Sequence, residues 1–264
     1  MAMRQRILTF AFLVCIFGIV PYSLASPITL LDIPAYDWYH GCAPTAAASI
    51  IGYWDLHGFP SLFDASGADV FLTEAVKDQI SSPEHNARYD PIPDDPTQPQ
   101  TWSSIADFMH TSEGDLIMGA TRSSKVPIGI SEYAASRGYI FDAWSNHDGL
   151  SAMWADLVAE IDEGHPLIFG VDVTGNGMPD HAAPVLGYDI RGANEFWYAV
   201  YTTWDEAETI SWFQFRRLSN TYSWGVATAI IIHPVSTPVL EPSTFILFGT
   251  GLGVIGLAAW RRRK

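Results

Sequence analysis

The order of apolar patterns constrains the fold of this chain most strongly, because helical periods fill its first part and strand-like runs its second part. Apolar residues recur at helical spacing over 45–57 and over 150–163, where Gly164 provides a stop signal. Helices followed by antiparallel strands predict an α+β domain. The strand-like runs, separated by Gly, Asn and Asp turns, cover 166–173, 181–190, 195–204, 210–215 and 226–232.

The region between the two long helices is predicted to hold shorter elements. Helices are predicted at 102–110 and 130–137, and a short strand at 139–144. The chain is polar over 60–100, and prolines crowd 89–99. A segment this rich in proline predicts a loop or lid.

The first 25 residues have the composition of a secretory signal peptide. Two arginines precede an apolar run at 7–20, and Ser23 and Ala25 are the small residues that precede a signal-peptidase cleavage site. A membrane anchor is the alternative, but this run is shorter than the roughly 20 residues that a spanning helix needs. We therefore predict a signal peptide at 1–25, removed by signal peptidase during export.

The last residues, 239–264, carry a second targeting pattern. Glu241-Pro242-Ser243 precedes an apolar segment at 245–260, and four basic residues end the chain. This layout resembles the PEP-CTERM sorting signal, although Leu240 stands where a first proline is usual. The resemblance implies a transient membrane helix at 245–260, processing by an exosortase-type enzyme, and an extracellular or cell-surface location. A plain C-terminal anchor is the alternative.

The two terminal segments bracket a domain at 26–238 that is long enough to enclose a full hydrophobic core. The whole chain has 14 basic and 29 acidic residues, and six of the basic residues lie in the terminal segments. A surface that binds phosphate needs Lys and Arg. The acidic composition of the domain therefore excludes nucleic acid as a partner.

Cys42 is the one cysteine expected in the exported protein, because Cys15 lies in the signal peptide. Cys42 then has no partner for an intramolecular disulfide. Gly41 permits close backbone approach, Pro44 suits the first turn of a helix, and a thiol there experiences the positive end of the helix dipole. This setting favours the nucleophilic thiolate. We expect Cys42 to be a nucleophile, with an inert buried thiol as the alternative.

A nucleophilic cysteine needs a base, and His181 opens an apolar predicted strand directly after a Gly-rich turn. A cysteine that begins an early helix and a histidine at the mouth of a later strand form the layout of papain-like cysteine peptidases. The motifs GCAPTA at 41–46, GYWD at 52–55 and LGYD at 186–189 resemble the secreted relatives of the bacteriocin-processing double-glycine peptidases. The resemblance implies a papain-like fold, with Cys42 as nucleophile and His181 as general base and then general acid.

The third member of the expected catalytic triad departs from this pattern. The resemblance implies an Asp or Asn just before a tryptophan on the next strand, and Thr202 occupies that place. Asp205 and Asp180 are the nearby carboxylates that could support an imidazolium ion. We predict Asp205 as the third member, and the other two remain alternatives.

The residues expected to form the oxyanion hole also differ from the pattern of these peptidases. The resemblance implies a glutamine six residues before the cysteine, where this chain has Tyr36. The Tyr36 hydroxyl or the Trp38 indole is then the expected donor, beside the Cys42 backbone amide. We expect His40 to line the wall of the cleft.

Most tryptophans are expected to have structural roles. Trp54, Trp154 and Trp204 fall in apolar patterns, which predict core positions. Trp38, Trp144 and Trp224 are the tryptophans that can line a cleft.

No metal and no cofactor are expected. Residues 172–177 match the first six positions of a calcium loop and Asp180 matches the ninth, but Ala183 stands where a bidentate Glu is needed. A Gly-Asn turn explains the segment equally well. A single thiol also leaves no His/Cys cluster for zinc.

Together these features predict an exported, surface-sorted cysteine peptidase that hydrolyses a peptide or protein substrate. The alternative is an inactive domain of the same fold that binds peptides or extracellular matrix components. Thr202 and Tyr36 motivate this alternative, because they replace polar groups that the resemblance implies.

Overall fold

The structure is a computed structural model, which describes residues 26–90, 94–204 and 209–235. A short 3-10 helix spans Gly67–Phe71 within these ranges. The α-helices are α1 (Cys42–Leu56), α2 (Thr73–Ile80), α3 (Pro83–Tyr89), α4 (Ile105–Phe108), α5 (Lys125–Ser136) and α6 (Leu150–Glu163). The strands are β1 (Ile28–Thr29), β2 (Phe141–Asn146), β3 (Leu167–Asp172), β4 (His181–Gly192), β5 (Glu195–Val200), β6 (Ser211–Gln214) and β7 (Gly225–Pro234).

The strands of the described residues form one antiparallel sheet in the order β2-β7-β3-β4-β5-β6. Strand β1 pairs with the second half of β4, where Ile28 lies opposite Tyr188 and Thr29 opposite Gly187. A Cβ at Gly187 would clash with the carbonyl oxygen of Ile28. Glycine at this position therefore allows β1 to approach β4 closely.

The sheet is covered on both faces, which explains why its central strands are apolar at successive positions. On β3, Ile168 packs with the residues of α1 and α5, whereas Leu167 and Phe169 pack with those of α6. Strand β4 alternates in the same way, with Leu186 on the α1 side and Val185 on the α6 side. Because side chains alternate along a strand, each face has its own hydrophobic core.

Helix α1 is buried along almost its whole length and packs against β4. Small side chains make this possible, since Ala46, Ala47 and Ala48 are fully buried. A Cβ at Gly52 would lie only 2.7 Å from the hydroxyl of Tyr36. Close packing on all sides fixes the position of the helix, and with it the position of its first residue.

The α+β architecture with an antiparallel sheet is confirmed, and α6 has the predicted bounds. Other bounds differ from the prediction. Within 102–110 only Ile105–Phe108 is α-helical. Helices α2 and α3 lie in the polar segment, for which the apolar pattern gives no helix. Helix α3 begins instead on local signals, because the Ser82 side chain accepts a hydrogen bond from the His85 amide and a proline follows Ser82.

Both terminal segments lie outside the described residues, including the predicted signal peptide at 1–25 and the predicted membrane helix at 245–260. Among the described residues, no helix combines the length and apolar character needed to cross a membrane. The predicted loop or lid at 89–99 is described except at 91–93, and its later part forms turns.

Candidate active site

Cys42 is the first residue of α1, and Gly41 shapes the approach of the chain to it. Gly41 has a φ of 154°. A Cβ there would lie 2.9 Å from Cγ of Pro44 and 3.0 Å from the carbonyl oxygen of Gly119. Both the backbone conformation and the lack of space therefore require glycine. The Cys42 side chain is a half-buried free thiol.

Thr45 fixes the loop that leads into the helix. Its hydroxyl donates to the carbonyl of Gly41 at 2.7 Å and accepts from the backbone amide of Tyr39 at 3.1 Å. The backbone amide of Trp38 donates to the carbonyl of Thr203 at 2.7 Å. This bond joins the loop before the thiol to the segment that follows β5.

His181 is the first residue of β4, and only 5% of it is exposed. Its Nε2 lies 2.9 Å from the backbone carbonyl oxygen of Thr202. Because a carbonyl oxygen can only accept, Nε2 carries the proton in this bond, and the lone pair of the neutral ring is on Nδ1. The backbone thus fixes the tautomer in which Nδ1 can act as a base.

Two tryptophans enclose the imidazole of His181. Trp204 stacks on it with ring centroids 3.9 Å apart, and Trp224 meets it edge-on at 5.9 Å. Burial lowers the pKa of His181 to about 4, although the Thr202 carbonyl and the Asp180 carboxylate act in the opposite direction. The ring is therefore neutral at pH 7.

The predicted core position of Trp204 was wrong. This side chain is 52% exposed and covers the imidazole ring instead. Trp204 follows Thr202 by two residues, just after β5 has ended at Val200. The sequence contained a partial signal for this role, because the pattern that the chain resembles has a tryptophan after the third catalytic position, and here Trp204 follows Thr202 with one residue between them.

The Cys42 thiol lies next to the start of β4, where the backbone amide of Ala182 lowers its pKa, as do the amides of Ala43 and Cys42 itself. Burial has the larger effect, and the pKa of the thiol is raised above its ordinary value. The expectation of a resting thiolate was therefore wrong, because burial outweighs the helix N-terminus. Within the described residues, no hydrogen bond joins the thiol to the ring of His181.

The group behind the imidazole is a main-chain carbonyl, that of Thr202. Asp180 lies elsewhere, because its carboxylate accepts from the backbone amides of Val173 at 2.8 Å and Thr174 at 3.3 Å. Asp180 therefore closes the turn that precedes β4. Asp205, the predicted third member, lies outside the described residues.

Tyr36 is not placed to donate to an oxyanion, which corrects one of the two expectations for that role. Only 2% of it is exposed, and its hydroxyl donates to the carbonyl of Val70 inside the core. A buried tyrosine hydroxyl needs such a partner. Trp38 is 38% exposed and stacks on His40 at a centroid distance of 6.3 Å. Trp38 therefore stays the predicted side-chain donor.

The segment at 172–180 is a turn held by its own carboxylate. Asp172 is fully buried, and its carboxylate accepts from the backbone amides of Gly175 at 2.7 Å and Gly177 at 2.6 Å. Burial raises the pKa of Asp172, but the hydrogen bonds from the turn outweigh this effect and leave the pKa below its ordinary value. The amides of the turn donate to both carboxylate oxygens of Asp172, which is the hydrogen-bonding pattern of an Asx-type turn.

Comparison with known proteins identifies two parts of the chain. Residues 241–264 match the PEP-CTERM protein-sorting motif. No curated protein matches the chain. Among solved structures, UfSP from C. elegans is similar with a TM-score of 0.38 and 13% identity, over 83% of this chain and 36% of that chain. The chain thus spans about a third of the length of that structure. Residues 30–225 match the model of the Peptidase_C39 like family, so the chain belongs to that family.

Proposed function

We propose that this chain is an exported cysteine peptidase of papain-like fold, which hydrolyses peptide bonds with Cys42 as nucleophile and His181 as base. The observation that carries the proposal is the fixed tautomer of His181 at the start of β4, where the next residue, Ala182, directs its backbone amide to the thiol at the start of buried α1. Membership of the Peptidase_C39 like family supports the reaction class. The PEP-CTERM motif supports export and a cell-surface or extracellular location after exosortase processing.

The reaction follows from the two side chains. Nδ1 of His181 accepts the thiol proton as the sulfur of Cys42 attacks the carbonyl carbon of the substrate. The C–N bond then breaks as Nδ1 returns the proton to the leaving nitrogen, and a thioester remains on Cys42. Water then gives a proton to the same nitrogen as its oxygen bonds to the thioester carbon, and the C–S bond breaks as Nδ1 returns that proton to the sulfur of Cys42. The Cys42 amide and the Trp38 indole are the donors that would stabilise the oxyanion.

Electrostatics make the resting pair a neutral thiol and a neutral imidazole. The pKa of Cys42 is raised and the pKa of His181 is lowered, and burial is the main cause of both shifts. Proton transfer from sulfur to nitrogen is therefore unfavourable in the resting protein. The Thr202 carbonyl and Asp180 favour the imidazolium that forms. Asp205 is our candidate for a further carboxylate that supports it.

A second candidate function is an inactive domain that binds peptides or extracellular matrix components. The neutral resting pair favours this candidate, together with the absence of a carboxylate hydrogen bond to the His181 ring among the described residues. A domain of this kind would hold a peptide against the rings of Trp38 and Trp204, which are both exposed. Replacement of Cys42 by serine would then leave peptide binding unchanged.

Labelling with an electrophilic peptide probe tests the proposal. His181→Gln keeps an N–H donor for the Thr202 carbonyl but has no basic nitrogen, so we expect labelling of Cys42 to slow by about 100-fold or more. His147→Gln is the matched control, because His147 is an exposed histidine outside the site. Equal labelling of wild type and His181→Gln would refute the catalytic pair. Peptide binding without cleavage, unchanged in Cys42→Ser, would support the second candidate.

A further inference from the structure

A second cluster of polar side chains lies far from the candidate active site. It consists of Glu160 in α6, His165 in the α6–β3 loop and His233 in β7. Trp54, whose ring centroid is 5.3 Å from that of His165, follows Cys42 by twelve residues on α1. Twelve helical residues span about 18 Å, so the cluster is separate from the candidate active site.

The three side chains bring their ligand atoms close together. The ligand atoms of the two imidazoles and the carboxylate all lie within 4.8 Å of one another. Nε2 of His233 is 2.7 Å from Oε2 of Glu160, and Nδ1 of His165 is 3.3 Å from the same oxygen. In a tetrahedral zinc site, ligand atoms at about 2.0–2.2 Å from the ion are roughly 3.3–3.6 Å apart. Small side-chain movements would open the cluster to that geometry.

One atom of the cluster lacks a hydrogen-bond partner. Nδ1 of His165 is buried, and its short approach to Glu160 does not have hydrogen-bond geometry. A buried polar atom without a partner is costly, and a metal ion would satisfy it. Glu160 is itself 8% exposed, and among the described residues its ion-pair partners are the two histidines alone. A buried carboxylate in a strongly acidic chain has a further reason to bind a cation.

We propose that Glu160, His165 and His233 bind a zinc ion. Two imidazoles and one carboxylate form a donor set that zinc prefers, and three protein ligands leave a fourth position open. The aromatic rings of Trp54 and Trp144 border the site, since the Trp144 ring meets His233 at a centroid distance of 5.0 Å. The ion would connect α6 and the loop after it to β7. This proposal does not depend on the proposed peptidase activity.

The sequence gives little indication of this site. Glu160 and His165 are five residues apart, and His233 follows in another element. The expectation of no zinc site considered a His/Cys cluster, whereas this cluster combines two histidines with a carboxylate. Only the folded chain brings the three together.

Titration of the full-length chain with zinc chloride tests the proposal, with binding measured by calorimetry. The Cys42→Ser background removes the thiol, which also has affinity for zinc. We expect one zinc ion per chain in this background and at least a tenfold loss of affinity in His233→Gln and His165→Gln. His147→Gln is the control and should bind as the background does. His233 is the more exposed ligand, so its variant is the better test if His165→Gln does not fold.

Two further measurements distinguish a specific zinc site from weak binding at the surface. A hundredfold excess of zinc over its dissociation constant should raise the melting temperature of the background by roughly 5–10 °C, and that of His233→Gln by much less. Cobalt in place of zinc should give the visible spectrum of a tetrahedral site without sulfur. Equal zinc affinity in the background and both histidine variants would overturn the proposal, as would zinc binding that requires Cys42.

Discussion

Acidification should destabilise this protein in part through the buried side chain of His181. The folded state holds its imidazole neutral, with the pKa lowered from 6.5 to about 4 by burial. In the unfolded chain the same ring takes up a proton at its ordinary pKa. The unfolded state therefore binds more protons between pH 6.5 and 4, and stability falls as the pH decreases through that window.

The size of the effect follows from the two pKa values. Relative to neutral pH, the contribution of His181 should lower the free energy of unfolding by about 2 kcal/mol at pH 5 and about 3 kcal/mol at pH 4. The imidazole is almost completely buried, so solvent screens the effect little. Losses of this size are a large fraction of the stability of an ordinary domain.

Urea denaturation followed by tryptophan fluorescence measures this loss. Wild type and His181→Gln are compared at pH 7.5, 5 and 4, and the difference between their pH-dependent losses isolates the imidazole from the carboxylates that titrate in both proteins. We expect the variant to lose about 3 kcal/mol less than wild type between pH 7.5 and pH 4. Identical losses would show that the ring is not held neutral, and the neutral resting pair would have to be abandoned.

Three other substitutions test separate parts of the site. Gly41→Ala should cost about 1–3 kcal/mol in urea denaturation and slow probe labelling, because the backbone conformation and the neighbouring atoms both exclude a Cβ; an unaffected variant would contradict the role of Gly41. Tyr36→Phe should cost about 1–3 kcal/mol by leaving the Val70 carbonyl without its partner, while the labelling rate stays within twofold; a large loss of rate would restore Tyr36 as an oxyanion donor. Trp204→Ala should raise the pKa of His181 towards its ordinary value in an NMR titration, because it uncovers one face of the ring; an unchanged pKa would place the origin of the shift elsewhere.

The fold was predictable where periodicity is strong. Helix α6 and the central strands follow directly from apolar spacing, because burial on both faces of the sheet leaves an unmistakable pattern. Helices α2 and α3 were not predictable in this way, since they are short and partly exposed. Ser82 and the proline after it were the available signals, and they are local capping signals rather than periodic ones.

The places of Cys42 and His181 in the fold were predictable from the sequence, but the electrostatics around them were not. Cys42 and His181 can be selected from the sequence because each begins a regular element. Their protonation states cannot be predicted from the sequence, because the burial of each side chain depends on which other elements pack around it. The same limit explains why the role expected of Tyr36 was wrong. Its position six residues before Cys42 suggests an oxyanion donor, but its hydroxyl lies in the core. The partner of the histidine is also hidden in the sequence, because a backbone carbonyl belongs to every residue type.

The hydrogen bond between the Trp38 amide and the Thr203 carbonyl has a consequence for when activity can arise. It connects the first described segment to a loop that follows five strands of the sheet in the sequence. Cys42 and His181 are likewise supplied by distant parts of the sequence. A chain that crosses a membrane unfolded therefore carries no assembled nucleophile and base. For an exported peptidase, folding outside the cytoplasm would itself be the step that switches on hydrolysis, and the cell interior would be protected without a separate inhibitor.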